Sequence, residues 1–137
     1  MAITSAVCDS YKLEVLQGIH QEGDDYRIAL FTGAATIGAD TTAYDSANEA
    51  AGLGYVAGGM SLSGITMTLA GGVAFIDWDD PTWPAATVSA SGALIYNASR
   101  ADRAVAVLSF GGVVSSAGPY TVILPAPGSA TAVIRIA

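Results

Sequence analysis

The chain has 137 residues, the length of one domain, and it is 52% hydrophobic, enough to bury a core. Lys and Arg number 5 against 12 Asp and Glu, a formal net charge of −7, and so few cations cannot neutralise a run of phosphates or hold an anionic membrane surface. Charged residues make only 12% of the chain, so part of the surface is expected to lie against another protein.

Residues 1–10 carry neither a basic stretch nor the apolar run of a leader, and folding is expected in a reducing cytoplasm. Cys8 is the single cysteine; it cannot form an intramolecular disulfide and reads as a small buried thiol. Val7, Tyr11, Val15 and Ile19 recur every fourth residue, with Leu13 and Leu16 between them. This predicts an amphipathic helix within Ser5 to Ile19, capped by Thr4, Ser5 or Asp9 and ended at Gly18. Lys12 and Glu14 then fall on its wet face. Residues 1–23 are expected to form this helical segment and residues 24–137 a β-sandwich, in one domain.

From Tyr26 the pattern is β. Tyr26 to Thr32 reads as a strand stopped by Gly33, and residues 34–54 as a long polar loop with a short helix near 46–51. Met60 to Leu62 and Ile65 to Leu69 both alternate, but their phase slips at Ser63-Gly64, which predicts a bulge or kink there. Ala70-Gly71-Gly72 turns the chain into Val73 to Trp78, a hairpin in which Ala74, Ile76 and Trp78 share one face. Thr87 to Ala90 and Ala93 to Tyr96 are two short strands or one strand bent at Gly92. Asn97 to Arg103 is a polar turn. Ala104 to Phe110 is a strand ended by Gly111-Gly112, and Tyr120 to Leu124 and Ala132 to Ile136 follow, with Arg135 opposite its neighbours. Seven or eight short strands with no room for crossover helices predict an all-β protein: an antiparallel β-sandwich, jelly-roll-like, with a short N-terminal helix. The charge-free stretches 50–76 and 104–134 are long enough to span a membrane, but their glycines and prolines cut them into strand lengths, so no membrane span is expected.

Chemistry-bearing patterns are sparse. His20 is the only histidine, too few for a His-ligated metal, and no nucleophile elbow or phosphate-binding loop occurs. No cofactor and no enzymatic activity are expected. Asn97-Ala98-Ser99 matches a glycosylation triplet and is discounted without a secretory leader. The densest polar cluster is Asp77-Trp78-Asp79-Asp80-Pro81-Thr82-Trp83. It reads as a strand exit with Trp78 on the core and the aspartates in water, as a protein contact, as a Ca²⁺ site, or as a sugar platform. Arg100 and Arg103, flanking Asp102, form either a solvated turn or a dock for a partner's carboxylates. The candidate partner contacts are therefore Trp78, Asp79, Asp80, Trp83, Arg100 and Arg103.

Five segments occur in a familiar order: Tyr26 to Thr32, Gly54-Tyr55-Val56-Ala57-Gly58-Gly59, Phe75-Ile76-Asp77-Trp78, Gly92 to Asn97, and Arg103 to Gly111. From Tyr26 onward the chain resembles small structural proteins of tailed-bacteriophage virions, in particular jelly-roll capsid decoration (cement) proteins. The resemblance implies no active site and no cofactor. It implies a homo-oligomer, dimer or trimer, made in the host cytoplasm, that binds the major capsid protein on the shell exterior and stabilises the shell through many weak contacts. It fits a tail, neck or baseplate protein of the same virion as well. A carbohydrate-binding β-sandwich using Trp78 and Trp83 is the alternative of a different class.

Overall fold

Apolar alternation becomes strand wherever the chain can pair. In the computed structural model, which describes residues 3–125, 128 and 131–136, the strands are β1 (Ala6–Val7), β2 (Tyr26–Phe31), β3 (Met60–Ser61), β4 (Thr66–Ala70), β5 (Val73–Asp77), β6 (Thr82–Asn97), β7 (Arg103–Thr121) and β8 (Ile134–Ile136). One helix, α1 (Asp9–Leu16), follows β1. The strands make a five-stranded sheet in the order β1-β7-β6-β2-β3 and a three-stranded sheet in the order β4-β5-β8, with every pairing between named strands antiparallel. This is the expected sandwich-like all-β fold with one short helix.

β6 is the centre of the large sheet, paired with β2 on one side and β7 on the other. Ala93, Leu94, Ile95 and Tyr96 are buried in succession, so both faces of β6 are covered. Phe31 and Tyr96 turn to one face, where Tyr44 from the 32–59 loop stacks on Tyr96 at 4.6 Å between ring centroids. Tyr26 and Asn97 turn to the other, toward His20 and Trp78. Covering on both sides explains an unbroken apolar run where a half-exposed strand would alternate.

The 32–59 loop is a third layer. It contains no helix near 46–51; Glu49 instead bridges to Phe31 of β2. The Glu49 carboxylate accepts hydrogen bonds from the Tyr44 and Tyr55 hydroxyls and from the Gly58 N–H, which ties the loop together. Burial, with the Glu49 charge beside them, pushes both tyrosine pKa values well up. The glycines here are close-approach positions rather than chain breaks: a Cβ on Gly52 would lie 1.8 Å from the Thr87 carbonyl, and one on Gly59 would lie 1.7 Å from the Ile28 carbonyl.

Several expected boundaries move. The helix begins at Asp9 because residues 6 and 7 pair with β7 instead. Thr87 to Tyr96 is one bent strand with register shifts at Ala90/Gly92 and Ile95/Tyr96. Gly111-Gly112 does not end a strand: residues 110–113 bulge out between Ser109 and Val114, both paired to β6, and β7 continues to Thr121. Val122 to Leu124 lie outside any strand, and the last strand is Ile134–Ile136 only. The phase slip at Gly64 (φ +67°) carries the chain from β3 in one sheet to β4 in the other. In β5 the buried residue is Phe75, not Ala74; Trp78 is buried because it lies past the strand end, where alternation no longer holds.

If the loop is packed this closely, Gly59→Ala should lose roughly 3 kcal/mol of stability in urea or thermal unfolding. Gly23→Ala, where nothing lies within 4 Å, should unfold like the parent. Equal midpoints for both variants would contradict the packing.

Candidate functional site

α1 presents Tyr11, Glu14 and Val15 to the sheet, one above the other at helical spacing. Glu14 is therefore buried, contrary to its expected place on the wet face. Its Oε2 accepts from Arg103 at 3.0 Å and its Oε1 lies 2.8 Å from His20 Nε2. The other ring nitrogen of His20, Nδ1, is 3.0 Å from Asn97 Nδ2. Asn97 Nδ2 also donates to Asp24 Oδ2 at 2.9 Å, and Asn97 Oδ1 accepts from the Ser99 N–H. Arg100 closes the chain with two hydrogen bonds to Asp24, from Nε at 2.9 Å and from the terminal nitrogen at 3.1 Å.

The protons follow from the partners. Ser99 fixes Asn97 Oδ1 as the acceptor, so the Asn97 amide donates to both Asp24 and His20 Nδ1. His20 then carries its proton on Nε2 and donates to Glu14. Every member of the series Arg103–Glu14–His20–Asn97–Asp24–Arg100 is paired, and the His20 side chain is 1% exposed. Neither ring nitrogen is left to exchange a proton with a bound molecule. The arrangement holds the helical segment and the 20–25 loop to the turn end of the β6–β7 hairpin. Arg100, with Asn97 and the Gln21 N–H, holds the Asp24 carboxyl well below its ordinary value, overcoming the opposing effect of burial.

Arg100 and Arg103 are both engaged by acids of the same chain, with about two-fifths of each side chain still exposed. The expectation for the tryptophans is corrected. Trp78 is 2% and Trp83 5% exposed, so neither ring offers a face to a sugar or a partner. Trp83 packs against Tyr55 and Tyr120, and Trp78 against Tyr26. Asp79 and Asp80 remain exposed, with Asp80 Oδ1 accepting from the Leu124 N–H. Burial raises the Asp77 pKa, with Asp80 and Asp79 adding to the effect against the Trp78 N–H. Among the described residues no three His, Cys, Asp or Glu side chains are placed to hold a metal ion, which leaves the Ca²⁺ reading of the acidic cluster without a ligand set. Cys8 is fully buried, as expected, and burial pushes its thiol up to about 11.

Many large apolar side chains also face outward. Leu13, Leu16, Leu53, Val56, Met67, Leu69, Val113, Val114, Ile123 and Ile136 are all exposed. Leu53, Val56, Met67 and Leu69 belong to the charge-free 50–76 stretch, and Val113, Val114 and Ile123 to the charge-free 104–134 stretch. Between α1 and the small sheet runs a groove of about 350 Å³ lined by Tyr11, Val15, Met67, Leu69, Ile134 and Ile136. Among the described residues, no helix is long and apolar enough to cross a membrane. Comparison with known proteins found no matching family model, curated protein or solved structure.

Sequence reasoning missed Glu14, His20, Asp24 and Asn97 as a unit. Their separations of up to 83 positions carry no local signal; the one available hint was acids and a lone histidine in the N-terminal segment of a chain with so few cations.

Asp24→Asn should cost about 2 kcal/mol at neutral pH by removing a charged acceptor from Arg100. Because the folded carboxyl titrates below the ordinary 3.8, its contribution is complete above that pH and fades as pH falls further. Unfolding curves of parent and variant should therefore converge in acid. A constant difference down to strongly acid pH would contradict the pairing.

Proposed function

We propose that this protein is a virion structural protein of a tailed bacteriophage, a decoration protein that binds the major capsid protein on the outside of the shell and stabilises it. The observation that carries this reading is the division of the surface. Lys12, Arg27, Arg100 and Arg103 are all held by partners within the chain. Large apolar side chains meanwhile stand exposed on charge-free strands and loops. Such a surface suits broad contact with other proteins better than capture of a small molecule. The resemblance of the segments from Tyr26 onward supplies the virion context. An acidic protein is compatible with a shell exterior, away from packaged DNA. Individual contacts on such a surface are weak, and repetition over a lattice multiplies them.

The test compares particles with and without the protein. Particles lacking it should release their DNA at a lower temperature, and adding the purified protein back should restore the difference. Its copy number should be of the order of the shell subunit's. Equal heat resistance together with the low copy number of a tail component would overturn the decoration role and move the protein to the tail.

A further inference from the structure

β4 lies at the edge of the small sheet, paired with β5 on one side only, and all five of its residues are exposed. Natural edge strands carry charges, prolines or bulges that discourage pairing with another chain. Thr66-Met67-Thr68-Leu69-Ala70 has none of these, and it pairs with β5 in unbroken register. From these features we infer that two copies of this chain pair through β4, antiparallel, about a two-fold axis at Thr68.

The turn geometry fixes which backbone groups are available. Gly71 and Gly72 both have positive φ (+58° and +80°), as a two-residue type I′ hairpin requires. Such a turn makes Ala70 and Val73 a hydrogen-bonded pair, and bonding alternates from there. Thr66 and Thr68 therefore bond inward to β5, and the N–H and C=O groups of Met67 and Leu69 face the open edge. A two-fold axis at Thr68 sets Met67 opposite Leu69 of the second copy, and the reverse, which satisfies all four outward groups of each strand. Registers shifted by one residue would leave them facing inward groups.

The side chains fit the same arrangement. Cross-strand register places Ile134, Ile76 and Met67 in one row, and Ile136, Ala74 and Leu69 in the next, on one face of the sheet. Under the proposed pairing each row runs into the other kind of row in the second copy, making apolar rows across six strands. The self-complementary register selects a second copy as the occupant, and charge permits it. Two copies of a chain at −7 repel, and the β4–β5 hairpin up to Ile76 lies in the charge-free 50–76 stretch, where they can meet without opposing like charges. A five-residue strand pair buries less than the about 1,200 Å² that marks a stable interface, so exchange between monomer and dimer is fast.

The inference rests on the β4 edge and is independent of the virion reading; loss of either leaves the other standing. In a concentration series, solution mass should climb from 13.7 kDa toward twice that value. Met67→Lys and Leu69→Lys, both at exposed positions, should hold it at the monomer mass with unchanged circular dichroism. Thr68→Cys gives a second readout. Directly opposite residues in the pair have Cβ atoms about 4.5–5.5 Å apart, close enough for a disulfide after small adjustment. The native Cys8 is buried and inert to mild oxidant. Thr68→Cys should therefore give a covalent dimer, whereas Thr66→Cys, four register steps and about 13 Å from its own copy, should not. A mass that stays at 13.7 kDa with no faster crosslinking of Thr68→Cys than of Thr66→Cys would overturn the pairing. A dimer that survives both lysine substitutions would overturn it too.

Discussion

The Asn97 amide, donating at once to His20 and to Asp24, is the contact on which the rest of the molecule depends. Two segments more than seventy residues apart in sequence meet there. α1 has eight residues, with Leu13 and Leu16 exposed, and a helix of that length does not persist in water on its own. β1 adds only two residues of pairing. The polar series anchored by Asn97 therefore helps hold α1 and the 20–25 loop on the sheet. Buried series of this kind are costly when partly satisfied and specific when fully satisfied, because each member has one orientation that serves all its partners.

The same series shapes the outside. Glu14 and Asp24 turn inward and each takes an arginine with it, and a chain with only five cations is left with a surface whose charge is acidic and scattered. Between the charges lie charge-free elements such as β4 and the far part of β7, which carry exposed Met67, Leu69, Val113 and Val114. The inner polar network and the outer apolar surface are thus two consequences of one composition. The 32–59 loop reinforces this division. Glu49 turns in toward Tyr44 and Tyr55, while Leu53 and Val56 turn out.

Features legible in the sequence were those set by near neighbours. The Tyr26 to Phe31 strand, the Gly71-Gly72 hairpin, the break at Gly64 and the buried thiol of Cys8 all follow from local pattern. Trp78 was readable as a core residue, although the row used to place it is not the buried one within β5, where Ala74 is exposed and Phe75 buried. Features set by distant partners were misplaced. Glu14 falls on the buried helix face beside Tyr11, and its burial is tolerable because His20 and an arginine 89 residues away pair with its carboxylate. Gly111-Gly112 has every local mark of a strand end, yet β6 continues alongside and offers the chain hydrogen bonds beyond the bulge.

By itself the sequence determined the class of fold, because short alternating runs without crossover helices can bury their apolar faces only as antiparallel sheets. It determined the poverty of cations and the absence of charge from two long stretches. The tertiary structure alone decided which polar groups would be buried together, which glycines mark turns and which mark close approach, and that the 32–59 loop would cover a face of the central strand. The reason is that pairing energy for a buried charge, or for a strand rejoined after a bulge, resides in a partner far along the chain. A local pattern records what a residue is, and only the fold records what it meets.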